Sequence, residues 1–136
     1  NFVKMEQLPW QDIDWKGRKI LLPEDEEVNL IFFEELLEDT GVELVITADG
    51  QATVDAAAEH EDIDLILMDV KMPVMSGLDA TRKIKSSKPD LPIIAQTAYA
   101  MEDEKQHCLD AGCDDYIAKP IDPNDLFTLL KKYMNK

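Results

Sequence analysis

The stretch Leu65-Ile66-Leu67-Met68-Asp69-Val70-Lys71-Met72-Pro73-Val74-Met75-Ser76-Gly77 decides the fold. A short apolar run ends in one carboxylate, Pro73 breaks the loop after it, and Ser76-Gly77 leads into a helical pattern. A run this short, bounded by turn signals, reads as a strand buried on both faces. A carboxylate at the end of such a strand is placed to react or to hold a metal. The rest of the chain then reads as a frame for Asp69.

Upstream, Lys19 to Pro23 is a short apolar strand. Glu24-Asp25-Glu26-Glu27 follows and opens a helix to about Asp39, its acids suited to the positive end of the helix dipole. Val28, Ile31, Phe32 and Leu36 form one apolar stripe, and Leu30, Phe33 and Leu37 a second. That is more apolar surface than one sheet face requires. The helix is either deeply buried or offers Leu30 and Phe33 to a partner. Thr40-Gly41 closes it, Val42 to Ala48 is a second strand, and Gln51 to His60 is a small Ala-rich helix.

Downstream, Gly77 to about Ser87 is a helix with Leu78, Thr81 and Ile84 inward. Ile93 to Thr97 is a fourth strand, and Met101 to Ala111 a helix closed by Gly112. Asp115 to Ala118 is a fifth strand. Asp122-Pro123-Asn124-Asp125 is a strong helix start, with an N-cap Asp and Pro at the first helical position. Residues 1–18 lack a clean period. They read as a linker with a few aromatic anchors, or as a segment docked on a preceding domain, with the main domain at 19–136. An opening Asn in place of Met suggests a piece of a longer protein, and the chain stops soon after its last helix.

Five strand–helix alternations with short links give an α/β, (βα)5 doubly wound fold with a five-stranded parallel sheet. In such sheets the site lies beyond the carboxyl ends of the strands. Those ends carry Glu24 and Asp25, Asp69, Thr97 and Lys119. Three carboxylates in one place repel unless a cation sits among them, and a few hard oxygen ligands suit Mg2+. With an ammonium and a hydroxyl added, the set describes a place that holds a phosphoryl group, with Asp69 as nucleophile.

The bulk composition agrees. The chain has 136 residues, 45% of them hydrophobic, and a net charge of −15 from 29 acidic and 14 basic residues. That charge argues against direct nucleic-acid binding and favours a divalent cation or a basic partner patch. No apolar run reaches membrane-spanning length and no signal-peptide pattern opens the chain, so a cytoplasmic location without membrane contact is expected. The two cysteines, Cys108 and Cys113, form no CxxC pair and read as reduced thiols. There is no GxxxxGK[ST] loop and no GxGxxG after the first strand. His60 and His107 read as surface helix residues. Glu102, Asp103 and Glu104 read as a solvated face or helix-start charges.

The ordered set resembles the receiver domain of two-component response regulators. The likeness rests on Glu24-Asp25, on Met68-Asp69-Val70-Lys71-Met72-Pro73 through Gly77, on Thr97-Ala98, and on Tyr116-Ile117-Ala118-Lys119-Pro120. The run Ala111-Gly112-Cys113-Asp114-Asp115-Tyr116 is similar to receivers fused to histidine kinases. The resemblance implies a flavodoxin-like sheet of order 2-1-3-4-5. Asp69 would accept a phosphoryl group from the phosphohistidine of a kinase or of a histidine phosphotransfer domain. Glu24, Asp25, Asp69 and the Lys71 backbone carbonyl would hold Mg2+. Lys119 would pair with a phosphoryl oxygen, across a cis Lys119-Pro120 bond. Thr97 and Tyr116 would act as the switch, while Lys71 and Tyr99 would tune hydrolysis of the acyl phosphate. The module itself would catalyse its own phosphorylation and dephosphorylation within a hybrid kinase, a parent chain that would carry any membrane anchor. A stand-alone regulator and a non-phosphorylated binding module are the alternatives. One departure stands out: Pro23 occupies a position before the acidic pair where the family usually has a small apolar residue, and it removes a sheet donor.

Overall fold

The structure, a computed structural model, describes residues 13–98 and 101–134. Its elements run β1 (Lys19–Pro23), α1 (Glu27–Leu37), β2 (Glu43–Thr47), α2 (Gly50–Glu59), β3 (Leu65–Asp69), α3 (Gly77–Ser87), β4 (Ile93–Thr97), α4 (Glu102–Ala111), β5 (Asp115–Ala118) and α5 (Pro123–Met134). The strands form one parallel sheet in the order β2-β1-β3-β4-β5, as the resemblance implies. β3 and β4 are buried along their whole length, which is why Leu65–Met68 and Ile93–Ala95 read as continuous apolar runs rather than alternating ones.

Each face of the sheet has its own core. Ile20, Leu22, Leu65, Leu67 and Ile94 pack under α1 and α5 with Phe33, Leu37, Leu126 and Leu130. Leu21, Ile66, Met68, Ile93 and Ala95 pack on the other side with Ala57, Ala80, Ile84 and Cys108. The strand period of two therefore assigns each strand-end side chain a face. Glu24, Asp69 and Gln96 follow the first set, and Thr97 and Tyr116 the second.

Local signals act where the sequence places them. Ser76 and Asp49 cap α3 and α2, accepting from Asp79 N–H and Ala52 N–H. Asp122 Oδ2 accepts from Asp125 N–H at the start of α5. Gly112 closes α4 at φ 108, a left-handed conformation that a side chain would strain.

Three expectations need correction. The first helix starts at Glu27, not Glu24, because Glu24 N–H still donates to Thr47 O of β2 at 2.9 Å and prolongs the sheet. It ends at Leu37, with a 3-10 turn over Glu38–Thr40 before Gly41. The two apolar stripes of α1 are also divided differently. Phe33 is 2% exposed inside the core and Leu30 packs partly against it, while Val28 and Ile31 are 78% and 46% exposed. Phe33 is therefore a core residue and not a docking side chain. Ahead of β1, Trp15 is buried and stacks on Phe127, with ring centroids 6.3 Å apart, so packing begins before the sheet does. Phe2, Met5, Leu8 and Trp10 lie outside the described residues.

Candidate functional site

Asp69, at the end of β3, is 5% exposed. Its two oxygens face different partners: Oδ1 accepts from Lys71 N–H at 3.0 Å, and Oδ2 accepts from Lys119 Nζ at 3.0 Å. The first contact is a local turn that fixes the carboxylate plane. The second spans fifty residues of chain and is possible because β4 lies between β3 and β5. The Lys119–Pro120 bond is cis. Gly77 closes the loop after Asp69: its N–H donates to Val70 O at 2.9 Å, and a Cβ there would lie 2.0 Å from Asp69 O. No other residue permits that approach. Val74, at the tip of this loop, has φ 70 and is 82% exposed.

On the other side of Asp69, oxygens of Glu24, Asp25 and Asp69 all lie within 4.8 Å of one another. Glu24 is 2% exposed, and its Oε2 accepts from Glu26 N–H at 3.2 Å. Its Oε1 is buried and finds no hydrogen-bond partner among the described residues. Burial pushes the Glu24 carboxyl above the usual range, and the Asp69 carboxylate adds to the rise. A buried orphan oxygen among three clustered carboxylates fits a hard divalent cation with few protein ligands.

Thr97, at the end of β4, is 2% exposed, and its hydroxyl lies 3.5 Å from Glu104 Oε1 on α4. Tyr116 is half-buried on the same sheet face, with Lys105 Nζ 5.2 Å from its ring centre. Asp69, Lys71, Gln96, Thr97, Glu104 and Lys119 enclose a space of about 40 Å3. That is room for a group little larger than a water, not for a nucleotide. The fold thus brings together Glu24, Asp25, Asp69, Lys71, Thr97 and Lys119, with Tyr116 one layer back. Tyr99 lies outside the described residues.

Sequence reasoning missed two participants. Glu104, read as solvated, lines the cleft, and its place on the inner side of α4 was hidden in an acidic run. Gln96 is 1% exposed beneath the site, and a polar residue at a fully buried strand position was the available signal. Neither His60 nor His107 lines the cleft, and His107 Nδ1 lies 4.0 Å from Glu104 Oε2.

The family model for the response regulator receiver domain matches residues 20–131. The chain belongs to that family. This receiver domain is 41% identical over 123 residues to the Sensor protein GacS of Pseudomonas syringae pv. syringae, a match covering 87% of the chain and 14% of GacS. It is 36% identical to the polar-differentiation response regulator DivK of Brucella ovis, over 86% of the chain and 96% of DivK. Among solved structures it is similar to the receiver domain of sensor histidine kinase PA1611 from Pseudomonas aeruginosa PAO1. That comparison gives 37% identity and a TM-score of 0.79 over 88% of the chain and 98% of the neighbour, which holds a magnesium ion in its active site cleft. It is also similar to the Saccharomyces cerevisiae Ssk1 receiver crystallised with the histidine phosphotransfer protein Ypd1. There the identity is 25% and the TM-score 0.80, over 85% and 88% of the two chains. The receiver fold and a role in two-component signalling follow. No helix among the described residues is long and apolar enough to cross a membrane.

Proposed function

We propose that this receiver takes a phosphoryl group from a phosphohistidine onto Asp69. One observation carries the reading: the buried Asp69 carboxylate stands between an ammonium 3.0 Å away and two further acids, Glu24 and Asp25, within 4.8 Å. An Asp69 oxygen attacks phosphorus, the P–N bond breaks, and the imidazole leaves with the bonding electron pair. Lys119 neutralises charge on the phosphoryl oxygens, and the Thr97 hydroxyl donates to one of them. Glu24, Asp25, Asp69 and the Lys71 carbonyl would hold Mg2+, which supplies charge neutralisation at the transferring group. Once a phosphoryl dianion is present, Thr97 turns from Glu104 toward it, Tyr116 follows, and the α4 face reports the change. Lys71 and Tyr99, two residues after Asp69 and Thr97 in the sequence, would tune how fast the acyl phosphate hydrolyses.

The donor would be a histidine phosphotransfer domain or the histidine-bearing domain of a kinase. Support comes from the complex that the Ssk1 receiver makes with Ypd1 and from the exposed apolar pair Val28 and Ile31 on α1. Beside them an apolar recess of about 250 Å3, bounded by Val28, Phe32, Pro120 and Ile121, opens next to Lys119. The likeness to GacS favours a hybrid sensor kinase as the parent protein, whereas the full-length match to DivK suits a stand-alone regulator. Incubation with a phosphorylated histidine phosphotransfer protein, with and without Mg2+, tests the reading. Label moving to this chain only with Mg2+ supports it, and a chain that binds the phosphorylated partner without taking label would instead be a binding module.

A further inference from the structure

Glu24 N–H donates to Thr47 O on β2, so the backbone nitrogen of the preceding residue, Pro23, faces β3. β1 pairs with β3 as Ile20↔Leu65 and Leu21↔Ile66, and the ladder stops there, although β1 continues to Pro23 against β2. Extending that register sets position 23 beside Met68. An N–H at 23 would then donate to Leu67 O, as Glu24 N–H does to Thr47 O on the other side. Proline has no N–H to give. Leu67 is fully buried, so its carbonyl would be left without a donor away from water. Gln96 Nε2 lies 3.0 Å from Leu67 O in a buried contact. The same amide leaves Gln96 Oε1 buried and unpartnered among the described residues. Turning it over would set two oxygens against each other.

We propose that Gln96 is a positioning residue whose side-chain amide replaces the backbone donor that Pro23 removes, holding the ends of β1 and β3 together beneath the acidic cluster. The inference rests on the proposed phospho-acceptor reading for its functional part. The ends in question carry Glu24 and Asp25 on one strand and Asp69 on the other, three carboxylates that repel one another. Without a donor on Leu67 O, water must enter between β1 and β3 to satisfy it, and the acids separate. Gln96 also borders the cleft, but its amide is committed to Leu67 O rather than to the cation or the phosphoryl group. It acts through the strand ends.

The test is a double-mutant cycle of Pro23→Ala and Gln96→Met. With Pro23 in place, Gln96→Met raises the unfolding equilibrium constant about ten-fold. It also raises several-fold the Mg2+ concentration needed for half-maximal phosphorylation by acetyl phosphate. With Pro23→Ala, both effects shrink to about two-fold or less, because the new N–H takes the Leu67 carbonyl. Rescue of the Mg2+ dependence by a backbone donor is not expected of a residue that merely fills space. Should Gln96→Met fail to fold, Pro23→Ala alone decides: the amide introduced at position 23 exchanges slowly with solvent. Equal effects of Gln96→Met in both backgrounds, or a fast-exchanging amide at 23, would overturn the proposal. A native chain that takes no phosphoryl group would refute the phospho-acceptor reading, and the stability arm would still judge Gln96.

Discussion

Lys119 places its ammonium 3.0 Å from Asp69 Oδ2, with Asp69 buried and the Lys119 side chain 30% exposed. The ion pair joins the ends of β3 and β5 across β4, so it ties the two outer walls of the cleft together. It also sets the lysine where an oxygen added to Asp69 would emerge. Lys119→Met leaves a buried carboxylate without its cation and lowers stability by about 1–3 kcal/mol, read by urea unfolding. Acetyl phosphate labelling of this variant falls by an order of magnitude or more. Unchanged labelling would remove Lys119 from the mechanism.

Glu24, Asp25 and Asp69 repel one another in the metal-free chain, and Glu24 also bears the cost of burial. Glu24→Gln therefore stabilises the metal-free protein by about 1 kcal/mol and removes most of the rise in melting temperature that MgCl2 gives the native chain. Thermal scans with MgCl2 and with EDTA separate the two effects. A native melting temperature indifferent to MgCl2 would count against a cation among these acids.

Glu104 adds a carboxylate to a cleft that has to admit a dianion. Its Oε1 also holds the Thr97 hydroxyl at 3.5 Å. Glu104→Gln lowers the electrostatic barrier on the order of 1 kcal/mol and speeds Mg2+-dependent labelling several-fold. Stopped-flow or quenched time courses read the change. A slower reaction would mean that Glu104 assists rather than opposes entry.

Val74 has a left-handed backbone, which a β-branched residue adopts only under strain. Its side chain is exposed and has little packing to lose. Val74→Asn raises stability by about 0.5–1 kcal/mol without altering the acceptor. Denaturant midpoints and labelling rates on the same samples check both halves.

Cys113 is buried, and burial pushes its thiol up to about 11 from an ordinary 9.0. Above pH 9 the unfolded chain loses this proton while the folded chain keeps it. Stability contributed by the neutral thiol is therefore present below pH 9 and is lost as pH rises toward 11. Cys113→Ser flattens that part of the stability profile. Neither cysteine reacts with iodoacetamide at pH 8 until the domain unfolds.

The fold was legible because the apolar runs, the caps at Ser76 and Asp122 and the closing glycines all act locally. The strand-end residues Asp69, Thr97 and Lys119 were legible for the same reason: topology alone brings parallel strand ends together. What stayed hidden depends on rotation or on a neighbouring strand. The apolar residues of α1 lie nearly all around its axis, so the sequence could not say that Phe33 faces inward while Val28 and Ile31 face solvent. Glu104 sits among acids whose orientation α4 alone decides. The partnership of Pro23 with Gln96 joins residues from β1 and β4 through a carbonyl on β3, a relation no spacing encodes.

The central claim is that Asp69 is the phospho-acceptor. Treating the chain with acetyl phosphate and Mg2+, reducing any acyl phosphate with borohydride, and mapping the product by peptide mass spectrometry tests it most directly. The account predicts that residue 69 alone is converted to homoserine, and that Asp69→Asn yields no adduct. A native chain that gains no phosphoryl group, or an adduct that persists undiminished in Asp69→Asn, would contradict it.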